Sequence, residues 1–416
     1  MKPVQGETRS SRPPSIVGGA AIIAGTAIGA GMFSLPVVSA GMGFCWALFW
    51  LVLTAFFMLH SALLILETNL NYPPGASFDT FIGQTLGPHW RRLNNLTLAF
   101  VLYILSYAFI SGGGSSISET LHSAFEVELE PRVSGLLFSA VIALTVWIGT
   151  RTVSRITAAI IIGMVVTFAL SIGQLVAGIT PSLLLDVRPH YLVFSFAALP
   201  IYLAAFGFHG NVPSLVKFYG KDPGRVSKCL IYGTLLSLAV YVVWQAVTLG
   251  QIPRDEFAGI IARGGNIGHM VAAISSQHES GMVLGLLNSF ANLAVISSFL
   301  GGSLGLFDFV ADKFGFSDDY AGRLKSAAVT FLPPTIASVF YPNGFIVAIG
   351  YAGLAATVFV IVIPATAAKV SRRKLGNPLY RVWGGNTLIY SMYAYALLIA
   401  ACHLLATSGL LPVYGR

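Results

Sequence analysis

Two short runs place polar backbone chemistry where an apolar sequence should carry none. The first is Gly25-Thr26-Ala27-Ile28-Gly29-Ala30-Gly31-Met32-Phe33, with Pro36 close behind. The second is Ala204-Ala205-Phe206-Gly207-Phe208-His209-Gly210-Asn211-Val212-Pro213. Each sits in the middle of an apolar stretch long enough to cross a bilayer. An interior glycine costs a helix about 1 kcal/mol relative to alanine, and Pro213 removes a donor and disrupts the turn before it. Non-helical backbone survives at membrane depth only where protein or a water-filled cavity surrounds it. Both runs are therefore expected to be helix breaks, offering free N–H groups from one half-helix and free C=O groups from the other. A zwitterion can use both. The competing reading of the first run is helix packing, because Gly25-x-x-x-Gly29 is also a small-residue contact motif.

Other residue types add to this chemistry. His209 is the histidine in the middle of a break. It either titrates and relays a proton or sits on a carbonyl and holds the unwound segment in shape. His60 and Glu67, seven apart, share a helix face, and Glu67 is the best acidic candidate for a membrane interior, with a structural, gating or coupling role; Asp308 lies at a segment edge. Ser297 and Ser298 are either ordinary packing residues or part of a sodium site with carbonyls of the first break. Cys45, Cys229 and Cys402 show no paired spacing, so neither a disulfide frame nor a metal site is expected. His278-Glu279 is not followed by a second histidine, which removes the zinc hydrolase pattern. No ring of charge suggests a channel.

The elements that must hold these residues follow from composition. The chain is 55% hydrophobic and 10% charged, against about 25% charged in soluble domains. It is a polytopic membrane protein. The +8 net charge reflects short basic clusters between apolar stretches, not a nucleic-acid surface. Hydropathy gives eleven segments, at about 15–39, 43–70, 92–118, 133–150, 155–177, 191–216, 228–249, 282–308, 324–341, 344–368 and 387–408. With the N-terminus cytoplasmic, all of the 24 Lys and Arg except Arg132, Arg188, Arg254, Arg263 and Arg416 fall on the inner side. That bias fits the positive-inside rule and puts the C-terminus outside. Residues 1–14 read as a cytoplasmic tail without the pattern of a signal peptide. Glu119, Glu126, Glu128 and Glu130 then form a solvated outer loop. The connection from Gly250 to Gly281 is either a cap over an entrance or a surface loop.

The two breaks open two groups of five segments, 15–177 and 191–368, with 387–408 as an appendage. An odd repeat length makes the halves inverted. Interrupted helices at matching places in such halves point to a transporter substrate site between segments 1 and 6. The expected fold is all-α, a leucine-transporter-like inverted repeat of five plus five plus one helix.

The chain resembles the bacterial aromatic amino acid permeases, and among them the tryptophan-specific members most closely. The likeness is carried by Gly25 to Pro36, Met58-Leu59-His60-Ser61, Glu67 to Tyr72, Phe100 to Leu105, Ala205 to Ser214 and Leu306-Phe307-Asp308, with a weaker match at Arg381-Val382-Trp383-Gly384-Gly385. It implies a bacterial inner-membrane importer of the amino acid–polyamine–cation superfamily, with eleven spans, no cofactor and proton-driven uptake of L-tryptophan. For such a substrate, the N–H groups of Gly29, Gly31 and Met32 suit the carboxylate. Carbonyls of Ile23, Ala24 and near Phe206 suit the ammonium, with Thr26, Gly207 and Asn211 beside them. An indole needs a flat apolar slot with one acceptor. Tyr103 and Tyr107 share a face of segment 3, Phe206 and Phe208 flank the second break, and Asn288 and Asn292 share a face of segment 8. His209, Glu67 and His60 are the proton-coupling candidates. One departure stands out: Met164 occupies the place in segment 5 where the resemblance implies a lysine. That puts the coupling route in doubt and leaves open a facilitator, an exchanger or a sodium-coupled carrier, and tyrosine, phenylalanine or indole as substrate.

Overall fold

The computed structural model describes residues 15–74, 76–278, 281–375 and 379–415. The expected tail at 1–14 and Glu279 of the rejected zinc pattern lie outside the described residues. Among the described residues the chain is helical, with no strand. Among the described residues nine helices are long and apolar enough to cross a membrane, and the bent pair Ile16–Ala27 and Ala30–Ser39 makes up to ten, not the expected eleven. The pair is segment 1. Segments 2 to 8 are Gly43–Asn69, Pro88–Phe125, Pro131–Ile148, Arg155–Gly178, Pro189–Tyr219, Pro223–Leu249 and Gly281–Phe314. Segments 10 and 11 are Phe345–Lys374 and Gly385–Thr407. The ninth place is taken by Tyr320–Phe340, a helix of 21 residues containing Pro333 and Pro334. With Lys325 and Ser326 also inside it, this helix is less apolar than its neighbours.

Lipid-embedded helices gain little from apolar contact alone and associate through close packing and hydrogen bonds. Segment 7 runs along segment 1 on that basis. A Cβ at Gly233 would stand 2.5 Å from the Cβ of Ile23, and one at Gly19 would stand 2.5 Å from the Sγ of Cys229. Segment 3 uses Gly113 and Gly114 in the same way against Phe138 and Gly135 of segment 4.

Prolines inside helices leave carbonyls without their usual donor four residues on. Pro333 does this to Val329, and the hydroxyl of Tyr103 donates to that carbonyl at 3.0 Å. Pro364 does it to Val360, beside a single π-turn at Val358–Val362, and the hydroxyl of Ser61 donates there. Along segment 3, Tyr107 and Ser111 continue the stripe begun by Tyr103, donating to the carbonyls of Tyr341 (2.7 Å) and Pro342 (2.5 Å). One face of segment 3 therefore serves the carbonyl freed by Pro333 and the end of the ninth helix.

The connection after segment 7 is a cap rather than a loose loop. It folds into helices Glu256–Ala262 and Ile267–Ser275, with Phe257, Ile260, Met270, Val271 and Ile274 buried. A Cβ at Gly268 would meet the carbonyl oxygen of Ser115 at 2.4 Å. Glu126, Glu128 and Glu130 are exposed, as a solvated loop requires.

Candidate functional site

Contacts define two faces. Tyr219 donates to the carbonyl of Ser15 (2.7 Å) on the face where segment 1 begins, the N face. Arg254 donates to the carbonyl of Gly41, and Tyr414 to that of Arg254 (2.8 Å), on the opposite C face. Both breaks lie between these faces.

In segment 1 the two half-helices meet at 52°. The N–H of Ile28 closes the first half on the carbonyl of Ala24 (2.7 Å), and Gly29 then runs extended, φ −169° and ψ −152°. The N–H of Ala30 turns away to the hydroxyl of Ser298 on segment 8 (2.9 Å). The N–H of Met32 returns to the carbonyl of Gly29 (3.1 Å). Among the described residues, the N–H groups of Gly29 and Gly31 donate to no protein acceptor. The carbonyls of Gly25 and Thr26, which the N–H groups of Gly29 and Ala30 would have used in an unbroken helix, accept from no backbone N–H. Of the three expected carboxylate donors, Met32 is thus engaged and Gly29 and Gly31 are open. The expected acceptors Ile23 and Ala24 lie inside the helix, and the open carbonyls come just after them. Gly29 has no room for a side chain: a Cβ would fall 2.2 Å from the Oγ of Ser298.

In segment 6 the helix Leu199–Ala205 ends, and the chain passes through Phe206, Gly207 and Phe208 into a short turn at His209–Asn211. Phe206 and Phe208 are fully buried. Phe206 sets its ring edge-on to Tyr241 (5.2 Å between centroids), and Phe208 stacks on His209 (4.9 Å). The carbonyl of Phe206, expected to be open, accepts from the N–H of Phe208 (2.9 Å). Gly207 and Gly210 are exposed, and so is Thr26 of segment 1. Asn211 donates to the hydroxyl of Thr26 at 2.7 Å.

Tyr241 of segment 7 joins the two breaks, and sequence reasoning had passed over it. Its hydroxyl lies 2.6 Å from the carbonyl of Ala27 and 2.6 Å from that of Ala205, the last residues of the two helices that stop. A hydroxyl has one proton, so it donates to one of these carbonyls at a time. The two helix ends are consequently no more than about 5 Å apart, two hydrogen bonds end to end. One turn on, Gln245 donates to Ser39 (2.8 Å) and to Tyr202 (3.1 Å), tying the C-face halves of segments 1 and 6 together. Thr234, Ser237, Tyr241, Gln245 and Thr248 are all buried. A polar stripe at three- and four-residue spacing was the available signal.

On the C-face side the site is sealed. Phe33, Trp244 and Phe290 pack with centroids 5.3 to 6.0 Å apart, and Phe168 joins Phe290 at 5.1 Å. Met32, Phe33 and Leu35 are buried. Among the break residues, Thr26, Gly207 and Gly210 are exposed, while Gly29 is buried.

The remaining expected residues lie elsewhere. Tyr103 and Tyr107 give their hydroxyls to carbonyls of the ninth helix region, as described above. Asn292 bonds Ser116 (2.8 Å) and Thr120 (2.7 Å) of segment 3, and Asn288 bonds Ser123 (3.0 Å). Ser298 contacts the break, and Asn292 lies six residues before it, about 9 Å along the helix. His209 has the geometry of the carbonyl-bonded histidine: it is buried, with Nε2 on the carbonyl of Met58 at 3.1 Å. His60 bonds within its own helix to the carbonyl of Phe56 (2.8 Å) and lies against the exposed Phe56 ring. Glu67 is buried in a two-pronged pair with Arg372 (2.5 and 2.8 Å) and also accepts the N–H of Val382 (2.7 Å), so both oxygens are engaged. Met164 is buried, on the same inward face of segment 5 as Ser171 and Leu175. No Lys or Arg among the described residues bonds to either break, and no His, Cys, Asp and Glu group among them could hold a metal.

Residues 12–403 match the tryptophan/tyrosine permease family. The chain is 50% identical over 407 residues to a tryptophan-specific transport protein of Pseudomonas aeruginosa (strain UCBPP-PA14), covering 97% of this chain and 98% of that one. It is 48% identical over 410 residues to a tryptophan-specific transport protein of Shigella flexneri, with 98% and 99% covered. A low affinity tryptophan permease of Escherichia coli (strain K12) is 40% identical over 402 residues, with 95% and 97% covered.

Proposed function

From the premise that the chain belongs to the tryptophan/tyrosine permease family, we propose that it imports L-tryptophan across the bacterial inner membrane, by proton symport and alternating access. The observation that carries this reading is the meeting of two helix breaks at Tyr241, with the N–H groups of Gly29 and Gly31 left open beside it. In this reading the substrate carboxylate takes those two N–H groups, where the half-helix dipole is positive. The ammonium takes the open carbonyls of Gly25 and Thr26. The indole lies toward Phe206 and Tyr241, whose rings are fully buried in this state and must be uncovered to receive it.

The N face is cytoplasmic and the C-terminus periplasmic, in line with the basic residues. The exposed Thr26, Gly207 and Gly210 then mark a state open to the cytoplasm, with the periplasmic side closed by the aromatic cluster and the cap. Residues 15–177 and 191–368 form the inverted halves, and segment 11 is added to them. Of the three proton-carrier candidates, His209 alone belongs to a break; its Nε2–H donates to the Met58 carbonyl, so an added proton goes to Nδ1, which is buried without a partner among the described residues.

The test is uptake of labelled L-tryptophan into proteoliposomes under an imposed pH gradient and, separately, a sodium gradient. Accumulation with the pH gradient is expected, as is its loss in Gly29→Leu. Unchanged uptake by Gly29→Leu at normal expression would sink the site. Accumulation with sodium alone would move coupling to Ser298 and segment 1. Equilibration without accumulation would favour an uncoupled facilitator, the second reading that Met164 supports.

A further inference from the structure

A second opening lies on the C face, away from the breaks. A half-open cavity of about 330 Å³ lies between the C-face ends of segments 1, 6, 10 and 11, the cap helix Glu256–Ala262 and Val413 and Tyr414. That volume falls at the small end of ligand pockets, about 300–1,000 Å³. Val37, Ala198, Ile201 and Gly350 make its floor apolar and low.

Two polar groups on its walls keep hydrogen-bonding atoms unused: the exposed Arg263, with Glu119 within electrostatic reach, and the buried His403. Arg263 gives its Nε–H to the carbonyl of Gly259 (3.2 Å), while its two terminal nitrogens donate to no acceptor and make no ion pair among the described residues. A guanidinium with its fork free at the rim of an apolar cavity is a receptor for a carboxylate. His403, which also lines the cavity, is 7% exposed, and its Nε2 is buried without a hydrogen bond among the described residues. A buried unpaired polar atom costs free energy that a ligand can recover. Its ring stands edge-on to Tyr351 (4.8 Å), which lines the same space. The cavity thus combines a cation, Arg263, with aromatic and apolar lining.

We propose that this cavity is a second binding site, for a small aromatic carboxylate of the substrate class, with its carboxylate on Arg263 and its ring over the floor toward His403. Its walls are shared between the cap with segments 1 and 6 on one side and segments 10 and 11 on the other. These must part for the C face to open, so a ligand bridging them favours the closed state. Tryptophan outside then slows its own uptake at high concentration. This consequence rests on the alternating-access reading above; the site itself does not.

Equilibrium binding of labelled L-tryptophan to the purified full chain tests it. Two molecules per chain are expected in the wild type, one in Thr407→Trp, which fills the cavity from segment 11, and one in Gly29→Leu. Arg263→Gln is expected to weaken the second site about tenfold, one charged contact, without altering low-concentration uptake. A single molecule lost in Gly29→Leu and kept in Thr407→Trp and Arg263→Gln overturns the cavity site and leaves the central one standing. A single molecule with the opposite pattern overturns the central site instead. Absence of binding overturns both.

Discussion

Segments 9 and 10 and segments 1 and 6 all carry interrupted backbone, yet the two pairs are finished differently. At Pro333 and Pro364 the carbonyl that loses its donor is met by a hydroxyl from another helix, Tyr103 in one case and Ser61 in the other. At the glycine breaks the account stays open. Ser298 and Tyr241 close part of it, while the N–H groups of Gly29 and Gly31 find no protein acceptor among the described residues. An unmade hydrogen bond at membrane depth is expensive, so a break left unfinished is one that something else completes. At Pro333 and Pro364 a hydroxyl from another helix makes good the lost bond; at the glycine break the open N–H groups are those the proposed substrate would take.

Four measurements break or sharpen this contrast, the largest expected effect first. Gly29→Ala drives a Cβ to 2.2 Å from the Oγ of Ser298, displacing the break. Misplacements near 1 Å cost about 100-fold in activity, so uptake is expected to fall by that order, with partial recovery in Gly29→Ala/Ser298→Gly. Full activity in the single variant would mean the break is merely a packing contact.

Tyr241→Phe strips the hydroxyl from the carbonyls of Ala27 and Ala205. A buried acceptor left alone costs about 1–3 kcal/mol, so a lower melting temperature together with loss of uptake is expected. A melting shift with normal transport would assign the bridge to stability alone.

Ser61→Ala is expected to cost about 1 kcal/mol and to leave the apparent KM for tryptophan unchanged. Pro364→Ala in the same chain restores an N–H for Val360 and should return the stability. Tyr103→Phe with Pro333→Ala forms the parallel cycle. A raised KM in Tyr103→Phe would restore the tyrosine to the substrate slot.

Tyr107→Phe is expected to change the melting point least, within about 0.5 kcal/mol. Its acceptor belongs to Tyr341, which is 72% exposed and can turn to water.

The legible part of the site was its backbone. Glycines clustered in mid-segment declare a break, and the break at Gly29 appears where they stand. The side chains were less legible. Four-residue spacing shows that Tyr103 and Tyr107 share a face, but not what that face meets; the carbonyl that Tyr103 serves is 226 residues away. Met32 was read as an open donor because its N–H follows the break, and a single tight turn back to Gly29 closes it. Glu67 stood out as the best acidic candidate for a membrane interior, and its partner Arg372 lies 305 residues further on. Tyr241 was hidden among the chain's 16 tyrosines, although its place in a buried polar stripe with Gln245 marked it.

By itself the sequence determined where the helices fail, which side the positive charge favours, and that no cation stands in segment 5 at Met164. These are local matters of glycine, proline and charge, and each residue carries its own. The tertiary structure alone decided which of the freed backbone groups are satisfied. A hydrogen bond needs a donor within about 3 Å of an acceptor, and that distance is set by how helices distant in sequence pack.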